Sequence, residues 1–279
     1  MSLKHGIAGL AALALTGLFG SRAWAGQPEP WQFGFQDAVT PVMERIDSFH
    51  NMLLIIISAI SAFVVILLAI IIFRFNAKRN PTPRKFSHNT LIETLWTGIP
   101  IIILIVIAIP SFKLLYMQDR TPPADLTIKA IGSQWYWTYE YPDYGELTFD
   151  ALMLEDYELE EGQPRLLATD ANVVVPVGAT VRVLVTATDV IHSWAVPAFG
   201  VKMDAVPGRM NETWFRADKQ GIYYGQCSEL CGVGHGFMPI TVEVVSQEGF
   251  EQWIEWAQEE LAQDSPSDAR DLAVAAKRD

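Results

Sequence analysis

Hydrophobic positions along this chain follow three patterns in turn. An apolar stretch at residues 7–18 is too short to cross a bilayer, whereas 53–73 and 95–112 run almost unbroken through Leu, Ile, Val and Phe. At 1.5 Å per residue the two long runs give roughly 31 Å and 27 Å of helix, close to a hydrocarbon core of about 30 Å. They predict membrane spans over about 53–73 and 92–115. Pro100 and Pro110 fall in the second run. Neighbouring groups in a membrane helix can re-satisfy the carbonyls that proline frees, so a bend is expected there, not a break.

From residue 121 onward the pattern becomes short segments separated by Gly, Pro and Asp, at 126–130, 135–141, 147–152, 173–177, 180–187, 212–215, 222–225 and 240–245. Many short strands at this spacing predict an antiparallel sandwich or barrel. Strand periodicity puts Trp135, Trp137, Tyr139 and Tyr141 on one face. At 249–261, Phe250, Trp253, Ile254, Trp256, Ala257 and Leu261 recur at helical spacing and predict a closing helix. The residues from 263 to 279 are small and charged without a period, the composition of a disordered tail.

Charge orients this arrangement. Between the two spans stand Arg74, Lys78, Arg79, Arg84 and Lys85 with no acidic residue, which predicts a cytoplasmic loop. Residues 1–25 read as an export signal, with Lys4 and His5 before the short apolar run and Ala23-Trp24-Ala25 as a small-residue cleavage site. Both termini of the mature chain are then expected on the exported side. The domain plan is a signal at 1–25, an N-terminal segment and helical hairpin at 26–120, an exported β domain at 121–262 and the tail. Half of the 279 residues are hydrophobic and only 19% are charged, which excludes an ordinary soluble or disordered chain. The net charge is −12, and residues 121–262 alone carry 22 acidic against 7 basic side chains. Nucleic acid is thereby excluded as a partner and a basic protein is favoured.

Candidate chemistry is concentrated between Gln226 and Met238, a run that holds both cysteines of the chain, Cys227 and Cys231, together with His235 and Met238. One reading is a small disulfide in an exported protein. The other is a metal site, for which thiolate, thioether and imidazole together select copper. If both thiolates bridge two ions, four further donors are needed to make each ion four-coordinate. His235 and Met238 supply two. His192 is the one other histidine of the exported β domain, and a backbone carbonyl between the cysteines would complete the set.

The run Cys-x-Glu-x-Cys-x3-His-x2-Met, preceded by Asp189-Val190-Ile191-His192-Ser193-Trp194 and by Gln134-Trp135-Tyr136-Trp137-Thr138-Tyr139-Glu140-Tyr141, resembles subunit 2 of bacterial cytochrome c oxidases. The likeness extends over nearly the whole mature chain. It implies a membrane-anchored all-β protein: a two-helix transmembrane hairpin, a cupredoxin-like β-sandwich and a short C-terminal helix, in the bacterial inner membrane. It also implies a binuclear copper A centre bridged by Cys227 and Cys231. One ion would be completed by His192 and Met238, the other by His235 and the Glu229 carbonyl. The Glu229 side chain would bind magnesium at the interface with subunit 1.

By the same resemblance, Trp135 is where electrons arrive from cytochrome c, and haem in subunit 1 is where they go, for oxygen reduction coupled to proton pumping. Subunit 3 is a further expected partner, and lipid surrounds the spans. The chain has no Cys-x-x-Cys-His haem attachment sequence and no histidine in either span, so oxygen reduction is expected on another subunit. Glu93 admits two roles: a mouth of a proton path into subunit 1, or a helix cap within Thr90-Leu91-Ile92-Glu93. Glu140, Asp143, Glu146, Asp189 and Asp204 match acidic positions of the family and are candidates for steering cytochrome c. A quinol oxidase subunit would lack the two cysteines, and nitrous-oxide reductase is soluble and has tryptophan at the Glu229 position. A membrane-tethered copper-delivery protein is the alternative of a different class.

Overall fold

The structure, a computed structural model, describes residues 25–260 apart from 83 and 146. The expected signal peptide but for Ala25, the tail at 263–279 and Glu146 lie outside the described residues.

Two long helices come first, α1 (Pro41–Arg74) and α2 (Thr90–Asp119). Each extends beyond the apolar run that predicted it, because local capping starts it early. Thr40 Oγ1 accepts the Met43 N–H at 3.0 Å and Pro41 occupies the first helical position, where its missing N–H costs nothing. Asn89 caps α2 through its side chain, which accepts the Ile92 N–H at 3.2 Å. The helix continues unbroken through Pro100 and Pro110. Over their apolar runs both helices are apolar all round and their surface is left bare, with Ile55 71% and Ile102 62% exposed. Such surface is stable against lipid and not against water.

The β region contains β1 (Ala25–Gly26), β2 (Leu126–Ser133), β3 (Tyr136–Glu140), β4 (Thr148–Ala151), β5 (Val173–Pro176), β6 (Thr180–Ala187), β7 (His192–Val196), β8 (Val201–Ala205), β9 (Asn211–Arg216), β10 (Gly221–Gln226) and β11 (Pro239–Val245), followed by α3 (Gln247–Glu260). One sheet runs β4-β3-β2-β6-β9, a second runs β1-β10-β11-β5, and β7 and β8 form a separate hairpin. The sandwich is therefore of mixed pairing and not purely antiparallel: β2 lies parallel to β6, and β11 parallel to β5. Alternation in β6 is regular, with Val181, Val183, Val185 and Ala187 buried. The β7–β8 hairpin has no counterpart among the sequence-predicted strands. All five residues of β7 are buried, so it lacks the alternation that marks a half-buried strand.

Large rings fill the core. Trp137, Tyr139 and Tyr141 point inward as expected, and Trp194, Phe199, Phe215 and Tyr223 meet them from the other elements. The polar tips are satisfied: Trp194 Nε1 donates to the Tyr139 hydroxyl at 3.2 Å, and the Tyr141 hydroxyl bridges the Val174 N–H and carbonyl across the sandwich. α3 buries Phe250, Ile254 and Ala257 over one end, whereas Trp256 stays exposed.

The hairpin and the sandwich are joined at one end of the helices. Thr40 Oγ1 donates to the Phe199 carbonyl at 2.7 Å, Val39 N–H to the Ala198 carbonyl, and Trp214 Nε1 to the Met117 carbonyl. The start of α1 and the end of α2 thus both adjoin the β domain. The basic loop sits at the opposite end, in keeping with the charge argument for a hairpin.

Candidate metal centre

The two antiparallel strands β10 and β11 end their ladder at the pair Gln226 and Pro239, and everything between them is one loop. Cys227 N–H continues the pairing with the Met238 carbonyl at 3.3 Å, so the loop is pinched at its base. Further bonds fix its outer part. Ser228 N–H donates to the Ser193 carbonyl on β7, and the Cys231 carbonyl accepts from Gln134 Nε2 at 2.7 Å and from Trp135 Nε1 at 3.3 Å. A short helical turn over His235–Phe237 returns the chain to β11.

This closure brings sulfur and nitrogen donors together. The two cysteine sulfurs are 3.8 Å apart, far beyond the roughly 2.05 Å of a disulfide, and both thiols are free. The His192 Nδ1 atom lies 3.9 Å from Cys227 Sγ, and His235 Nδ1 lies 3.7 Å from Cys231 Sγ. Met238 Sδ is 3.6 Å from Cys231 Sγ, and the Glu229 carbonyl oxygen is 3.3 Å from Cys227 Sγ. His192, Cys227 and Cys231 are all buried, with donor atoms within 4.8 Å of one another. Two thiols, two imidazoles, a thioether and a carbonyl form a soft set of the kind that takes copper, and their convergence is compatible with a binuclear copper A site. Burial, and then the neighbouring Cys227, push the Cys231 thiol up to about 12. The Cys231 thiol is therefore held protonated until a cation displaces its proton.

His192 is oriented from behind. Its Nε2 faces Asp189 Oδ1 at 2.9 Å, which directs the Nδ1 lone pair at the sulfurs. Desolvation works against the charge on Asp189, but hydrogen bonds from His192 and from the Val190 and Gln134 N–H groups outweigh it and hold the carboxyl below its ordinary range. The imidazole also fills the space over Gly132, where a Cβ would lie 2.9 Å from its ring atoms, and it meets Trp137 edge-on at 6.1 Å.

Trp135 differs from the expectation that put it in line with Trp137. β3 begins only at Tyr136, so Trp135 belongs to the corner before it, with 38% of its surface exposed. Its ring lies on the ligand loop so closely that a Cβ at Gly234 would sit 2.4 Å away. Glu229 is exposed, with its carbonyl turned toward Cys227. Among the steering candidates, Glu140 pairs with Lys129 at 3.0 Å and Asp143 accepts the Thr127 N–H, while Asp189 is committed to His192. Glu93 lies far along the chain from this centre, at the start of α2. Its carboxylate accepts the Asn89 N–H at 3.0 Å, so the cap begins one residue earlier than the Thr90 box.

Sequence reasoning did not assign Gln134, Gly132 or Gly234 a role, nor Asp189 its place behind His192. An aspartate three residues before a candidate histidine ligand is the signal from which the last of these could have been found.

Two family profiles match the chain: the cytochrome c oxidase subunit II transmembrane domain over residues 28–114, and the periplasmic domain of the same subunit over 126–245. A protein of Rickettsia bellii described as probable cytochrome c oxidase subunit 2 is 56% identical over 237 residues, which is 85% of this chain and 88% of that one. Cytochrome c oxidase subunit 2 of Arabidopsis thaliana is 51% identical over 233 residues, 81% of this chain and 89% of that one. The solved periplasmic domain of subunit II of cytochrome oxidase from Bradyrhizobium japonicum is 57% identical and covers 51% of this chain and 99% of its own, with a TM-score of 0.48.

Proposed function

The chain belongs to the cytochrome c oxidase subunit II family, and from that premise we propose that electrons from cytochrome c reach the oxidase through it and leave for haem in subunit 1. The observation that carries the proposal is the convergence of Cys227, Cys231, His192, His235, Met238 and the Glu229 carbonyl around one pinched loop. Cys227 and Cys231 would hold two copper ions between them, and the pair would supply one-electron storage. His192 and Met238 would complete one ion in this reading, and His235 with the Glu229 carbonyl the other.

The chain's own groups prepare that chemistry. Asp189 holds His192 in one tautomer and one orientation. The β10–β11 ladder and the bonds to Cys231 and Ser228 keep the loop from relaxing between redox states. Trp135 presents an exposed indole whose N–H donates to the Cys231 carbonyl, a short through-bond route from the surface to a bridging ligand. The acidic excess of the β domain steers a basic donor protein to that surface. Glu229, exposed on the loop, holds magnesium against subunit 1, and Glu93 receives protons at the other membrane face. Subunit 3 completes the assembly, and both termini face the periplasm of the bacterial inner membrane.

The test is copper stoichiometry and the electron-spin spectrum of the purified full chain. Two coppers per chain and hyperfine coupling of one electron to two equivalent nuclei are expected. One copper per chain, or a localised single-copper signal, refutes the proposal.

A further inference from the structure

Beside the sandwich, α1 and α2 enclose a groove of about 170 Å³ lined by Arg45, Ser48, Phe49, Met52, Pro110, Lys113, Leu114 and Met117. On α1 the lining residues Arg45, Ser48, Phe49 and Met52 are spaced three, four and seven residues from the first, and on α2 so are Pro110, Lys113, Leu114 and Met117, so each set forms one helix face. Phe49, Met52, Pro110, Leu114 and Met117 are half-buried against each other, while Arg45, Ser48 and Lys113 reach the surface.

Neither Arg45 nor Lys113 has an ion pair or hydrogen bond among the described residues. Of the nearby acidic groups, Asp47 accepts from Asn51, Asp119 lines a separate cavity with Lys202 and Trp214, and Glu44, exposed in the first turn of α1, makes no ion pair with either cation among the described residues. Lys113 directly follows the apolar run that ends at residue 112, and Arg45, which lines the same groove, precedes the run that begins at residue 53, so both cations stand on the sandwich side of the hydrocarbon layer. A guanidinium, an ammonium and a hydroxyl at the membrane boundary, above a slot walled by Phe, Met, Leu and Pro, match one amphipathic ligand. The geometry points to an anionic phospholipid of the leaflet next to the sandwich, its phosphate between Arg45 and Lys113 and its first methylenes against Phe49, Met52 and Leu114. Arginine grips phosphate with two parallel donors, and basic pockets between membrane helices suit lipid head groups. A free phosphate would leave the apolar walls unfilled, and a protein carboxylate would leave the slot below it empty.

The inference rests on the hairpin lying in the membrane and is independent of electron transfer. Its test is native mass spectrometry of the full chain, purified with its partner subunits, released from detergent and titrated with phosphatidylglycerol or phosphatidylcholine. One retained phosphatidylglycerol is expected, held more tightly than phosphatidylcholine, and millimolar inorganic phosphate should not displace it. Arg45→Gln or Lys113→Gln should each weaken retention about fivefold and the double variant more, with unchanged helix content and melting by circular dichroism reporting an intact fold. Equal retention by wild type and double variant, no preference for the anionic head group, or displacement by phosphate alone overturns the assignment. Unchanged lipid retention with loss of subunit 1 on purification gives the two cations to the partner subunit instead, and overturns it equally.

Discussion

Asp189 Oδ1 stands 2.9 Å from Nε2 of His192, and the opposite ring nitrogen faces Cys227 at 3.9 Å. A carboxylate thus decides which nitrogen a metal can use. Asp189→Asn keeps the shape but exchanges the charge, and it should weaken copper affinity about 10–100-fold, as measured by competition with a chelator. Because the Asp189 carboxyl is held below its ordinary range, the stability it adds to the metal-free chain is complete above the unfolded value of about 3.9 and is lost as the pH falls through the lowered one. The melting-temperature gap between wild type and Asp189→Asn should therefore be constant above about pH 4 and shrink below it. A gap that grew on acidification would contradict the assignment.

Cys227→Ser and Cys231→Ser each remove one of the two sulfurs proposed to bridge the metals. Either change should abolish coupling of one electron to two equivalent copper nuclei, read by electron-spin resonance of the copper-loaded chain. Met238→Leu removes a weaker ligand at similar volume, so the shared-electron signal should persist with a shifted reduction potential.

Trp135 and Gly234 are in such close contact that the glycine is part of the indole's seat. Gly234→Ala should displace the ring at a cost of about 1–3 kcal/mol. Trp135→Gln should depress electron transfer inside the bound cytochrome c complex at every ionic strength, with affinity little changed. Neutralising Asp204 should behave oppositely: association weakens modestly, and salt erases the difference beyond a Debye length of about 8 Å. Stopped-flow reduction across an ionic-strength series separates the two; a Trp135 defect that vanished with salt would remove its proposed role.

Glu93 accepts the Asn89 N–H, and glutamine can do the same. Glu93→Gln should keep the cap and the thermal stability of the assembled oxidase, yet slow steady-state turnover if the carboxyl takes up protons. Glu93→Ala should lose both. Normal turnover in Glu93→Gln with reduced stability only in Glu93→Ala would leave the residue as a cap alone.

Much was legible along the chain because it is written in local order. The membrane helices follow from unbroken apolar runs, most strands from alternation, and the donors Cys227, Cys231, His235 and Met238 from spacing within one loop. Helix starts were less legible, since Thr40 and Asn89 begin their helices in polar sequence by bonding backbone groups that hydropathy does not register. What only the tertiary structure decided concerns residues distant in sequence. It brought His192 on β7 to the sulfurs of a loop that begins 35 residues later, set Asp189 behind it, and drew Trp135 out of its strand pattern onto Gly234. It also set Arg45 and Lys113, from different helices, on one groove of the hairpin. The physical reason is the same in each case: periodicity fixes which face a residue occupies, whereas which faces meet depends on how the sheets and helices pack, and that is a property of the whole chain.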